Sequence, residues 1–456
     1  MKKKYDTILI GGGIANIALA LELSKTNPDI LIIEAGPGLN ERRCLKQTFG
    51  KCVHCNPCHI TQGFGGAGCY SDCKLTYSSE VGGSLIDYVG EDTFNNLLNE
   101  ADALFTEYGS KQNLTKVTEF ADQFDYECSK FGMKLLKFGV RHLGTDGAYN
   151  LLSNMRDTLI ERGVKILKRS QVTNIDFNTK TVYIKDFDGE YTANHISIGV
   201  GRSGAEWLRQ LCVQNNIPTT ASSVDVGVRL ECPRSITDFA TDKLYEFKII
   251  NYSSAGNKVR TFCVNPGGYV VQENYDNCVC VNGHSLSDNK TPNTNFALLV
   301  SLNFTKPFNE PIKYATSICQ LTNMLADGKV MVQRLTDLKN KKRSTATKMQ
   351  RLTIEPTLKD AEPGDLRYAL PSNVIDALLE TIDNLNNVFP GINGSNTLLY
   401  APEVKFYSSK IELNNKLQSN KYDDIYFIGD SSGITHGIMQ SVMSGIYVAK
   451  QIKERN

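Results

Sequence analysis

The chain has 456 residues, 41% apolar and 22% charged, with 50 Lys+Arg against 49 Asp+Glu. That length suits roughly two to four domains, or one large discontinuous unit with a buried core. Scattered glycine and proline with 9% aromatics exclude disorder, collagen-like repeats and coiled coil, and a formal net charge of +1 excludes a global basic footprint for nucleic acid.

Thirteen cysteines, an odd number in a long chain, indicate intracellular thiols rather than a secreted disulfide framework. Met1-Lys2-Lys3-Lys4 is a basic head, but the apolar run behind it ends after Ile10 in three glycines, too soon for a signal peptide. No apolar stretch reaches the roughly 18 residues of a membrane span. The expected location is cytoplasmic, with no membrane partner.

Tyr5 to Ile10 reads as a buried parallel strand, Gly11-Gly12-Gly13-Ile14-Ala15-Asn16 as a glycine turn, and Ile17 to Leu23 as helix. A second apolar strand, Ile30 to Ile33, ends at Glu34 and Ala35, with Glu34 21 residues after Gly13. In a dinucleotide-binding unit such glycines let the backbone approach a pyrophosphate at the helix N-terminus, and the acid hydrogen-bonds a ribose hydroxyl. Gly11, Gly13, Ile14, Ala15, Asn16, Glu34 and Ala35 are therefore the expected cofactor-binding residues here. Asn16 stands where G-x-G-x-x-G has its third glycine, which implies either a displaced helix or an amide used for local hydrogen bonding.

Six of the thirteen cysteines, Cys44, Cys52, Cys55, Cys58, Cys69 and Cys73, fall within thirty residues. The C-x-x-C-x-x-C spacing of Cys52, Cys55 and Cys58 is compatible with an iron-sulfur cluster, a zinc site, a redox pair or a structural role, and no metal ligand is assigned. The loop Gly63 to Gly68, with Gly65, Gly66, Ala67 and Gly68 at its centre, carries almost no bulk, so its backbone can approach a flat ligand or a phosphate. Strands are expected at 163–167, 171–177, 181–184 and 191–193, with a returning apolar strand at 193–201. Gly199 and Gly201 then form a turn before a helix containing the single tryptophan, Trp207.

Between Val224 and Tyr400 strands and helices continue without a second glycine fingerprint, and two helices are expected, Ile312 to Leu325 and Val374 to Leu385. The stretch 339–348 holds five basic residues and no acid, which reads as a solvated loop or as a platform for a polyanion such as nucleic acid. Tyr422 to Ile428 is a strand ending in Gly429-Asp430, and a small-residue helix is expected from Ser441 to Ile452.

An N-terminal glycine turn paired with a late strand ending in Gly-Asp resembles the FAD-binding fold of the glutathione reductase type. Residues 51–75 resemble more specifically a FAD-utilizing dehydrogenase family whose members carry C-x-x-C-x-P-C followed by G-x-G-G-A-G-x-x-S-D-G-K-L. Further matches are Gly144-Thr145-Asp146, Val226 to Glu231, Phe262 to Val270, Val281-Asn282-Gly283, Pro356-Thr357 and Gly437-Ile438-Met439. Two departures are Asn16 and Cys73, which replace glycines of the pattern.

The resemblance implies an α/β protein: a discontinuous Rossmann-like FAD-binding domain, residues 1–220 and 401–456, with an inserted α+β substrate domain, residues 221–400. It implies that Val172 meets adenine through its backbone and that Gly199 and Gly201 turn beneath the pyrophosphate. Gly429 and Asp430 would hold the ribityl chain, and the helix behind Gly437, Ile438 and Met439 would begin beside the flavin. Lys74 is a candidate for neutralising reduced flavin or an anionic substrate, and His436 for acid/base work because its charge changes near neutral pH. The expected activity is two-electron oxidation or reduction of a small molecule at the flavin, with NAD(P)H as one admissible donor. The alternative is a flavin-dependent enzyme that modifies a nucleic-acid base, resting on the 339–348 stretch.

Overall fold

The computed structural model describes residues 3–45, 53, 55–71, 73–111, 114–186, 189–220, 223–275, 278–285, 289–305, 307–308, 310–405 and 407–455. The fold is α/β, and the chain divides into two compact units, Met1–Asn113 with Arg141–Ser222 and Tyr407–Asn456, and Leu114–Val140 with Ser223–Phe406.

The first unit is Rossmann-like. Strands Lys165–Leu167, Ile30–Ile33, Lys4–Ile10 and Glu190–Ile198 lie side by side in that order and run parallel. Glu190–Ile198 is long enough to take two partners along its other edge. Its first half pairs antiparallel with Thr181–Ile184, which leads to Val172–Asp176, and its second half pairs parallel with Ile425–Phe427. The Ile30–Ile33 run is buried throughout, the pattern of a strand covered on both faces.

Helix Ile14–Leu23 comes directly after the first strand and its glycine turn, and eight of its ten residues are buried. A helix apolar on every side belongs inside a domain. Its neighbour is the last helix, Ile438–Lys453. Small residues permit the contact: a side chain on Gly445 would overlap the Ala15 carbonyl oxygen. The last helix begins three residues before the expected Ser441, with Gly437 as its N-cap, so Ile438 and Met439 form its first turn.

The second unit is built on an eight-stranded sheet, in the order Glu362–Pro363, Met331–Arg334, Leu398–Lys405, Val224–Pro233, Asn293–Leu302, Lys258–Pro266, Lys248–Tyr252 and Lys134–Leu136. All neighbouring pairs are antiparallel except Glu362–Pro363 with Met331–Arg334. Helices Pro311–Leu325 and Ser372–Leu385 contribute their apolar faces to the core, where Phe247 packs on Phe389 at 4.7 Å and on Phe296 at 5.3 Å between ring centres.

Residues 114–140, which the sequence places in the first domain, cluster with the second unit. Lys134–Leu136 is the edge strand beside Lys248–Tyr252, and Phe124 and Cys128 enter that unit's core. Residues 401–405 likewise complete the strand Leu398–Lys405 rather than opening the return to the first unit.

Candidate cofactor-binding site

Register brings the expected cofactor-binding residues to one edge of the parallel sheet. Ile10 is level with Ile33 and with Ile198, and Ile198 with Phe427. The segments behind these strand ends, Gly11 to Gly13, Glu34, Gly199 to Gly201, and Gly429-Asp430, therefore emerge on one rim. In open α/β sheets ligands bind outside the carboxyl ends of the strands.

The glycine turn is fixed by contact. Gly11 has φ +95°, and a Cβ there would lie 2.5 Å from the Gly199 carbonyl oxygen, so only glycine fits. Asn16 is fully buried: its Nδ2 donates to the Ile10 and Gly11 carbonyls at 2.9 and 2.8 Å, and its Oδ1 accepts from the Ser197 hydroxyl at 2.9 Å. Of the two options for Asn16, local hydrogen bonding is the one observed. The amides of Ile14, Ala15 and Asn16 sit in the first helical turn, where no intrahelical acceptor precedes them. They present donors and the positive helix end to the rim.

Glu34 is buried and accepts from the Gly12 amide at 2.6 Å and the Gly36 amide at 2.7 Å. Ala35 beside it is exposed. The Ser170 amide donates to the Glu34 carbonyl at 2.9 Å, and Val172, two residues on, opens the strand Val172–Asp176, where it pairs with Ile184.

The second glycine segment docks on the first. The Gly65 amide donates to the Gly12 carbonyl at 2.7 Å, Gly13 and Gly65 form a parallel bridge, and a Cβ on Gly66 would lie 3.3 Å from the Gly13 Cα. Phe64 is buried beneath, while Ala67 is exposed and Gly68 lies beside Ile438. Sequence reasoning does not single out Arg42, which organises this loop. Its guanidinium is buried and donates to the carbonyls of His59, Ile60, Gly63, Phe64 and Gly66 at 2.7 to 3.4 Å. Burial pushes it below its ordinary value, against the raising influence of Cys69, Tyr70, Glu34 and Cys58.

At the far strand, Asp430 Oδ1 accepts from the Thr435 and Ser441 hydroxyls at 3.2 and 3.1 Å, and Arg202 Nε, behind the Gly201 turn, is 3.6 Å from Oδ2. The loop at Gly82 to Ser84 crosses the approach to the last helix: the His436 amide donates to the Gly82 carbonyl at 2.7 Å and the Ser84 amide to the Ile434 carbonyl at 2.8 Å. The buried Gln440 completes this junction by donating to the Val81 carbonyl at 3.1 Å.

The His436 side chain is exposed and meets the Tyr407 ring edge to face at 4.9 Å. Lys74 is half-buried on strand Lys74–Tyr77. Three residues on, the Tyr77 hydroxyl donates to Asp102 and accepts from Arg141 Nε at 3.2 Å. Burial, and next the Asp102 hydrogen bond, push this phenol well above its ordinary value.

Cys52 lies outside the described residues. Cys44, Cys55 and Cys58 are half-buried, and Cys69 and Cys73 are buried. Among the described residues no group of three or more His, Cys, Asp or Glu side chains is arranged to hold a metal ion. In the basic stretch, Lys339 pairs with Asp383 at 2.5 Å and Lys348 with Asp337 at 3.0 Å, so part of its charge is already matched. Among the described residues no helix is long and apolar enough to cross a membrane.

The second unit contains a polar cluster that no single motif announces. Arg229, fully buried, donates to Glu403 through Nε at 2.9 Å and Nη2 at 3.1 Å, to Asn295 and Asn265 at 2.8 and 3.2 Å, and to Asn282 at 3.3 Å. Beside it on the same strand, Glu231 accepts from the Tyr400 and Thr357 hydroxyls, both at 2.6 Å, and from Asn293 at 3.0 Å. Segments that carry the family resemblance, those with Arg229 and Glu231, with Asn265, with Asn282 and Gly283, and with Thr357, thus meet in one interior region.

A family model described as "FAD-dependent protein, C-terminal domain-like" matches residues 223–406, less than half of the chain and the larger segment of the second unit. No curated protein sequence matches the chain significantly. Among solved structures, the chain is similar to glycine oxidase from Geobacillus kaustophilus (10% identity, TM-score 0.43, 99% of this chain and 95% of that one). It is similar also to L-proline dehydrogenase from P. horikoshii (12%, 0.45, 100% and 95%) and to pyridoxine 4-oxidase from Mesorbium loti (12%, 0.47, 99% and 100%).

Proposed function

We propose that this protein is a FAD-dependent oxidoreductase acting on a small-molecule substrate. The observation that carries the proposal is the convergence of the Gly11–Asn16 turn, Glu34, Gly199 to Gly201 and Gly429-Asp430 on one sheet edge, with two helix N-termini, at Ile14 and Ile438, belonging to the same unit.

The residues present fit a dinucleotide. Gly11 and Gly66 leave backbone where any Cβ would intrude or strain the chain, and the amides of Ile14 to Asn16 suit a diphosphate. Glu34 keeps acceptor capacity for ribose hydroxyls, having bonded one amide per oxygen, and Asp430 is preoriented by Thr435 and Ser441 for a polyol chain. FAD, when bound, would supply the two-electron redox chemistry.

The chain's own part is to bind, orient and manage charge. The N-terminus of helix Ile438–Lys453 favours negative charge near Gly437. Lys74 is the proposed cation for an anionic substrate or for negative charge at the cofactor, and the exposed His436 the proposed proton carrier. Residues 114–140 and 223–406 form the proposed substrate domain. A reduced nicotinamide that visits the flavin directly is one electron donor compatible with the reading.

The test is anaerobic. Purified protein is expected to retain FAD or to take it up, and its flavin absorbance is expected to bleach with either a reduced nicotinamide or one member of a panel of small amino and hydroxy acids. Protein that neither contains nor binds FAD overturns the proposal.

A further inference from the structure

Arg42 has no place in the motifs that point to FAD, and its surroundings ask for an anion. It is 5% exposed, and its Nε and both terminal nitrogens are committed to five backbone carbonyls of one loop, those of His59, Ile60, Gly63, Phe64 and Gly66. Tyr70 lies against it, with the guanidinium carbon 5.0 Å from the ring centre, and the Tyr70 hydroxyl donates to the Arg42 carbonyl at 2.6 Å. Among the described residues no carboxylate is in direct ion-pair contact with it, although Glu34 is near enough to favour its charge. Carbonyl dipoles solvate the guanidinium but do not cancel its charge, and a buried unpaired charge is costly.

The loop that Arg42 gathers is the one that seats against the glycine turn. Gly65 donates to the Gly12 carbonyl, and Gly66, whose carbonyl Arg42 holds at 2.8 Å, packs on Gly13. Turning five carbonyls inward onto one cation fixes the loop against Gly13, the N-cap of helix Ile14–Leu23.

We propose that Arg42 is a positioning residue for the dinucleotide: it locks the Gly63–Gly68 loop onto the Gly11–Gly13 turn, and its buried charge favours a diphosphate bound on the outer side of that junction, beside the first-turn amides of helix Ile14–Leu23. The proposal rests on the FAD reading above. It assigns to one side chain both the shape of the loop and part of its preference for an anionic ligand. A merely structural arginine supplies only the first.

Wild type, Arg42→Met and Arg42→Lys are stripped of flavin and titrated with FAD, and with ADP in competition, while thermal melting of each apo-protein is followed separately. Arg42→Met is expected to bind both FAD and ADP about tenfold or more weakly, the scale of a lost charged hydrogen-bonding group. Arg42→Lys keeps the charge without the fork and is expected to recover part of that loss for both ligands. Wild-type affinity in Arg42→Met, or an Arg42→Lys no tighter than Arg42→Met, overturns the assignment while leaving the FAD reading intact. A wild type that binds neither ligand removes the FAD reading and the inference with it. If Arg42→Met does not melt cooperatively, Arg42→Lys decides: a several-fold loss with a displaced flavin absorption band supports the role, and unchanged affinity and spectrum overturn it.

Discussion

The Ser197 hydroxyl donates to Asn16 Oδ1 at 2.9 Å across the junction of two parallel strands, while the amide of the same asparagine holds the Ile10 and Gly11 carbonyls. One side chain thereby ties the first helix, the glycine turn and the neighbouring strand. Asn16→Gly restores the glycine of the dinucleotide fingerprint yet is expected to destabilise the protein, because three buried hydrogen bonds disappear. At about 0.5–1.5 kcal/mol each, the loss is about 1.5–4.5 kcal/mol. Urea denaturation checks it, and a Gly variant as stable as wild type removes the role given to Asn16.

Gly11 tests the close approach of the turn to Gly199. An alanine there must adopt φ near +95° and push its Cβ to 2.5 Å from the carbonyl oxygen of Gly199, a residue tied to the first strand by its amide's bond to the Ile10 carbonyl. Strain at such a position costs more than about 1 kcal/mol. Because the displaced backbone is the proposed diphosphate seat, Gly11→Ala is expected to lower the melting temperature and to emerge from purification without flavin. The flavin-to-protein absorbance ratio measures this directly.

Asp430 offers a cofactor-side test with less effect on folding. It is partly exposed and held by two hydroxyls and by a solvent-accessible ion pair with Arg202. Asp430→Ala is expected to weaken FAD binding by about 10- to 100-fold, the equivalent of one hydrogen bond to a charged group. Its effect on ADP is expected to be small, since ADP lacks the ribityl chain. Fluorescence titration of the apo-protein with each ligand separates the two.

Legibility in the sequence obeys a physical pattern. The glycine turn, Glu34 and the Gly199–Gly201 and Gly429–Asp430 turns are legible because backbone geometry at those points admits few residue types, and the spacing between them reflects strand and helix lengths. Arg42 is illegible because its partners are carbonyls 17 to 24 residues away, which any sequence supplies. The edge strand Lys134–Leu136 is three residues long, too short for an alternating pattern to register. The start of the last helix at Ile438 is hidden behind glycine-rich punctuation that also suits a loop. A compact thiol group, with Cys280 and Cys319 3.5 Å apart, is masked in the sequence by the denser cysteines of 44–73. The buried cluster around Arg229 shows as single polar residues in separate apolar strands, and only their pairing brings them together.

That cluster gives the last prediction. Burial works against the charged form of Glu403, but Arg229 at 2.9 Å and Lys405 at 2.8 Å outweigh it, and the carboxyl is held below its ordinary value. As pH falls, the unfolded chain therefore takes up its proton before the folded one does. The stabilisation is complete above the unfolded glutamate value of about 4.3 and is lost as pH drops through the lower folded value. Glu403→Gln leaves Arg229 buried beside a neutral amide whose nitrogen is itself a donor. The expected cost at neutral pH is about 3–5 kcal/mol. The gap between wild type and variant should then shrink as pH is lowered below about 4, since wild type approaches the neutral state the variant already has. Urea unfolding from neutral to acidic pH measures both. A gap that stays constant across that range means the ionised Glu403–Arg229 pair is not what stabilises the second unit.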